Sequence, residues 1–87
     1  MRERRLLADG FIEVVVWQLP GPLIGSTHSL KYRLAYVVDG VCVLRHDNEA
    51  GKGDHRHLGA AEIPYVFTSV DKLLDDFLSC VATWKAD

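Results

Sequence analysis

The stretch Lys31-Tyr-Arg-Leu-Ala-Tyr-Val-Val-Asp-Gly-Val-Cys-Val-Leu-Arg-His46 decides the fold. Two β-rich runs, 31–38 and 41–46, flank Asp39-Gly40. An Asp-Gly pair between such runs predicts a two-residue hairpin, because glycine accepts the positive φ that the turn requires. An unbroken register then pairs Val38 with Val41, Tyr36 with Val43 and Leu34 with Arg45, and sets Arg33 opposite His46. One face would carry Ala35, Val37, Cys42 and Leu44 and end in Arg33 and His46. The other would carry Leu34, Tyr36, Val38, Val41 and Val43.

Upstream, Asp9-Gly10 separates the runs 4–8 and 11–19 in the same manner, so a second hairpin is predicted and the strand count reaches four. Between the hairpins, Pro20-Gly-Pro-Leu-Ile-Gly-Ser-Thr-His-Ser29 must leave the sheet, since proline lacks the ladder donor. The run 11–19 is apolar on both faces: Ile12, Val14 and Val16 on one, Phe11, Val15 and Trp17 on the other. Such a strand calls for cover on both sides, and a second copy of the chain is a candidate for the side that a helix leaves free. Downstream, Val70, Leu73, Leu74, Phe77, Leu78, Val81 and Trp84 recur at helical spacing, which predicts one amphipathic helix over 69–84 with Asp71, Lys72, Asp75, Asp76 and Ser79 facing away. Thr68 with Asp71 reads as a capping box, and Ser69 is the alternative cap. Tyr65-Val-Phe67 is a candidate short fifth strand. The expected architecture is α+β in a single domain over 1–87: a four- to five-stranded antiparallel sheet of two β-hairpins, with the C-terminal helix packed on one face.

Composition narrows the function classes. Hydrophobic residues make up 48% of the 87, enough for a core and too many for a disordered tail. No apolar run approaches the length of a membrane span and no signal-type stretch follows Met1, so a cytoplasmic protein with no membrane partner is expected. Cys42 and Cys80 do not make a disulfide framework, which suits a reducing compartment. Ten Lys and Arg against twelve Asp and Glu leave a net charge of −2, so any nucleic-acid contact needs a local basic patch. The charges are segregated. Residues 1–57 hold all four histidines and Arg2, Arg4, Arg5, Lys31, Arg33, Arg45, Lys52 and Arg56, while 58–87 are acidic. Arg2, Arg4 and Arg5 also have a simpler role near an edge strand, where charge blunts aggregation.

The segment 45–59 concentrates ionisable groups with Gly51, Gly53 and Gly59, which reads as a long binding loop. It is not a phosphate loop: Gly51-Lys52-Gly53 lacks the earlier glycine, and no Ser or Thr follows Lys52. A metal site is open to it, since in an extended backbone His55 and His57 project from one face about 6–7 Å apart at Cα. His46, Asp47 or Asp54 would complete the ligands, although closed zinc sites usually show paired Cys/His clusters and neither cysteine lies nearby. Acid–base work on a phosphodiester is the sharper option, with histidine titrating near neutrality and Lys52, Arg56 and Arg45 holding phosphate. Because His55 and His57 point the same way, one of them pairs more plausibly with His46 or Tyr32. The bland alternative is that these side chains only hydrogen-bond the loop in place. It is the better reading for any one histidine and a weaker one for the whole cluster. Tyr32, Tyr36 and Trp17 read as core or interface aromatics.

The runs Leu6-Leu-Ala-Asp-Gly-Phe-Ile-Glu-Val-Val-Val-Trp-Gln-Leu-Pro20, His28-Ser-Leu-Lys-Tyr-Arg-Leu-Ala-Tyr-Val-Val-Asp-Gly40, Arg45-His-Asp-Asn-Glu49 and Lys52-Gly-Asp-His-Arg-His57, followed by Pro64-Tyr and a helix, resemble the TumE family of prokaryotic toxins. The resemblance implies growth inhibition countered by a cognate antitoxin, itself a DNA-binding regulator. It marks Lys31, Tyr32, Arg33, Asp47, Asn48, Lys52, Asp54, His55, Arg56 and His57 as the functional surface. The hairpin end at 31–33 is expected to converge with the 45–59 segment.

Three functions therefore compete. The first is a toxin that acts as a metal-independent ribonuclease or other translation inhibitor, with an RNA target and no cofactor, using His55 or His57 with Lys52, Arg56 and Arg33. The second is a non-catalytic module that binds nucleic acid or protein. The third is a metal-binding protein using His55 and His57.

Overall fold

The computed structural model describes residues 1–24, 26 and 28–84. It is α+β: six antiparallel strands follow one another in chain order across one open sheet, and one helix closes the chain. The strands are β1 (Arg2–Leu7), β2 (Gly10–Gln18), β3 (Leu30–Val38), β4 (Val41–Glu49), β5 (Gly53–Leu58) and β6 (Ala61–Pro64), and the helix is α1 (Val70–Thr83). Among the described residues, no helix is long and apolar enough to cross a membrane.

The sheet has six strands, not four or five, because the segment 45–59 is not a loop. Gly51 and Gly53 adopt φ of 82° and 72° and turn the chain tightly after Glu49, so 53–58 returns alongside β4. A second turn at Gly59, φ 62°, adds β6. Polar residues (His46, Asn48, Asp54 and Arg56) occupy the helix-side positions of 45–57, so the hydrophobic alternation that betrays a strand is missing there. Tyr65-Val-Phe67 forms no strand.

Both predicted hairpins form, each with a correction. At the second, Asp39 and Gly40 take φ of 51° and 77°, as the Asp-Gly reading requires. The register slips between Tyr36 and Val37, however, so Tyr36 pairs with Leu44, Leu34 with His46 and Arg33 with Asp47. A bulge at this point turns every later β4 side chain to the other face. Leu44 and His46 thereby enter the core, and Asp47 replaces His46 beside Arg33. At the first hairpin the turn lies one residue earlier, since Gly10 already pairs with Leu7. Gly10 is needed for close approach instead: a Cβ there would lie 1.9 Å from the Val37 carbonyl oxygen.

The helix is capped by Ser69, whose hydroxyl accepts from the Lys72 amide at 3.1 Å. Its Leu73 and Phe77 are fully buried against Ile12, Val14, Val16, Tyr32, Leu34, Tyr36, Val38 and Leu44, contributing roughly 1.5–3 kcal/mol each. Trp84 packs edge-on against Tyr36. Asp76, expected in solvent, instead accepts from the Tyr65 hydroxyl at 2.6 Å and from Lys72 at 2.7 Å. These two bonds hold its carboxyl below the usual range. Leu78, on the apolar stripe of the helix, stays exposed beside a hollow lined by Ile12, Val14 and Leu74. Among the described residues, no helix covers the sheet's second face.

Candidate functional site

Register places the ionisable groups. Directly paired residues of antiparallel strands share a face. On the helix-free face one row therefore runs Val15, Arg33, Asp47, His55, Pro64, and the next runs Glu13, Ala35, Arg45, His57, Glu62. Lys31 follows on the same face, opposite Trp17. The convergence of the hairpin end with the 45–59 segment is thus built by strand pairing.

At the centre, His55 Nε2 lies 2.8 Å from Asp47 Oδ1, and Arg45 Nε lies 3.0 Å from Asp47 Oδ2. Arg45 Nη2 donates to His57 Nε2 at 3.0 Å. The two imidazoles meet edge to face with centroids 4.9 Å apart. Arg33 Nη1 sits 3.6 Å from Glu13 Oε1 and remains largely exposed. The cluster is graded in depth: the His55 side chain is 4% exposed and the His57 side chain 24%. Only His57 of the pair meets solvent freely. His55 Nδ1 lies 3.3 Å from the Gly53 carbonyl, so Nδ1–H donates and Nε2 faces Asp47.

The remaining candidates stand elsewhere. His46, Tyr32, Asn48, Asp54 and Arg56 alternate to the helix side, so the sheet separates His46 and Tyr32 from His55 and His57. His46 is fully buried between Tyr65 and Phe77. Burial, helped by the Arg56 charge, lowers its pKa to about 4, and it is neutral at pH 7. Tyr32 donates its hydroxyl to Asp54 at 2.7 Å. Burial and that carboxylate push its phenol above the ordinary range, which makes it a donor and a poor base. Asn48 is a clamp: Oδ1 accepts from the Tyr32 amide and Nδ2 donates to the Leu30 carbonyl. Lys31 Nζ donates to the Asn48 carbonyl. Lys52, in the β4–β5 turn, borders an open hollow with Asp54, His55, Glu62 and Pro64.

Three residues at or near these groups escaped the sequence reading. Glu49 and Glu62 place Oε1 atoms 3.9 and 3.8 Å from His55 Nε2. Spacing by two from Asp47 would have flagged Glu49 once 45–49 was read as a strand; Glu62 comes from a strand that sequence did not show. On the helix side, His28 Nε2 meets Asp54 Oδ2 at 2.8 Å and its ring packs on Phe67, centroids 4.0 Å apart. No sequence signal linked residues 28 and 54.

The family model described as Toxin TumE matches residues 3–85. Comparison with curated proteins and with solved structures finds no match.

Proposed function

The chain belongs to the TumE toxin family, and from that premise we propose that it is the toxin half of a toxin–antitoxin pair and cleaves RNA at the helix-free sheet face. One observation carries the reading: strand pairing gathers Arg33, Arg45, Asp47, His55 and His57 on one sheet face, with Arg33 exposed, Arg45 and His57 half-buried and Asp47 and His55 buried, in a chain whose net charge is negative. Arg33 and Arg45 supply guanidinium groups suited to phosphate oxygens. In this reaction class the 2′-hydroxyl oxygen bonds to phosphorus and the bond to the 5′-oxygen breaks, leaving a 2′,3′-cyclic phosphate and a 5′-hydroxyl. One proton leaves the 2′-oxygen and one reaches the 5′-oxygen, and we assign this traffic to the Asp47–His55–His57 cluster.

The partner this role calls for is a cognate antitoxin, which we take to be a DNA-binding regulator, and the site of action is the cytoplasm. Self-association, if it occurs, is assigned to the second apolar face of β2, where Trp17 is 43% exposed. Light scattering that finds a monomer removes that assignment.

The test is induction in cells of the wild-type chain and of His57→Ala and Arg33→Ala variants, with and without the antitoxin, followed by analysis of cellular RNA. The wild type arrests growth and yields cyclic-phosphate termini, whereas both variants accumulate folded and harmless. Equal toxicity of the His57→Ala and Arg33→Ala variants overturns the reading. Salt-sensitive RNA binding without products would favour a non-catalytic module.

A further inference from the structure

His55 Nε2 and Asp47 Oδ1 are 2.8 Å apart, yet both are buried without a hydrogen-bond partner in the protein. Their separation is that of a bond, but their alignment is not. Each side chain is about nine-tenths buried or more, at 4% and 10% exposure, and an unpaired polar atom at such depth costs roughly 1–3 kcal/mol. A buried imidazole nitrogen and a buried carboxylate oxygen this close, each without a hydrogen-bond partner, are the donor atoms a cation would take. His57 Nε2 stands 3.9 Å from the same Asp47 oxygen, and one donor atom from each of the three residues falls within 4.8 Å of the others.

We propose that Asp47, His55 and His57 bind one divalent first-row transition ion of the zinc class. The donor chemistry fits: two imidazoles and a carboxylate suit zinc and its neighbours, and three protein ligands leave a position open for water or a phosphate oxygen. The supporting contacts fit as well. The Gly53 carbonyl holds the His55 ring through Nδ1, which presents Nε2 as a ligand, and an outer partner of this kind usually accompanies metal-bound histidine. Arg45 cannot accept a hydrogen bond, so in its contact with His57 Nε2 the guanidinium donates and that nitrogen accepts. Ion capture replaces that contact, while Arg45 Nε keeps its place 3.0 Å from Asp47 Oδ2. Glu49 and Glu62 stand just beyond and add negative charge.

The binding site rests on this geometry alone; its use in catalysis rests on the RNA-cleavage reading. There the ion would act as a Lewis acid on the phosphate held by Arg33 and Arg45, and with both imidazoles coordinated, water on its open position would take over the proton exchange assigned above to the unloaded cluster.

The experiment is calorimetric titration of Zn²⁺ into untagged, metal-stripped protein, repeated with His57→Gln and Asp47→Asn, each checked for folding by circular dichroism. The expected result is one ion per chain, at least about 100-fold weaker binding in each variant, and a rise in wild-type melting temperature with Zn²⁺. No binding by the folded wild type, or equal binding by the folded His57→Gln variant, overturns the site. Full-rate RNA cleavage by stripped protein overturns the catalytic use of the ion. Bound Zn²⁺ without any RNA cleavage supports the metal site and counts against the RNA reading alone.

Discussion

Asp47 and His55 face each other across the β4–β5 pair at 2.8 Å without sharing a hydrogen bond, while the other Asp47 oxygen lies 3.0 Å from Arg45. One carboxylate therefore serves two neighbours of opposite character. Asp47→Asn keeps the shape and removes the charge. RNA cleavage by this variant should fall about 100-fold or more with little change in melting temperature. Rate assays beside thermal melts check this; unchanged cleavage would place the chemistry elsewhere.

His46 gives a pH dependence. Its folded pKa of about 4 lies below the 6.5 of the unfolded chain. Between these values the unfolded state binds the proton and the folded state does not, so this stabilising contribution is complete above about pH 6.5 and is lost as pH falls toward 4. The full loss is about 3 kcal/mol. Urea unfolding at pH 7 and about pH 5 should show the decline. His46→Phe, which keeps a ring between Tyr65 and Phe77 and removes two unpartnered nitrogens, should flatten it.

Gly10→Ala should cost several kcal/mol, on the order of 2–4, because its Cβ would overlap the Val37 carbonyl and force β2 from β3. At Gly40, where the space is open and only the φ of 77° is strained, alanine should cost about 1 kcal/mol. Chemical denaturation of the two variants decides the order.

Asn48→Ala should destabilise the fold by roughly 2–4 kcal/mol, since it strands the Tyr32 amide and the Leu30 carbonyl in a buried position. Arg33→Ala, at an exposed position, should leave stability within about 0.5 kcal/mol. It should weaken RNA binding and reduce its salt slope by about one. Finding the reverse pattern would exchange the structural and functional roles assigned to these residues.

The sequence by itself determined the turn at Asp39-Gly40, the amphipathic helix, with Ser69 as the second choice of cap after the Thr68/Asp71 box, and the shared face of His55 and His57. Each of these depends on neighbours a few positions apart, where φ preferences and side-chain periodicity act. Tertiary structure alone decided which face each ionisable group occupies. A single extra residue at the β3–β4 bulge sent His46 into the core and brought Asp47 beside Arg33, while the β4–β5 register set Asp47 against His55. Strands β5 and β6 carry too little apolar alternation to be read locally. They are held by pairing of β5 to β4 and of β6 to β5, by Leu58 on the core, and by part-buried polar contacts such as Tyr32 with Asp54. Parity along a strand is lost with one inserted residue, so a site built across four strands is legible only once their registers are known.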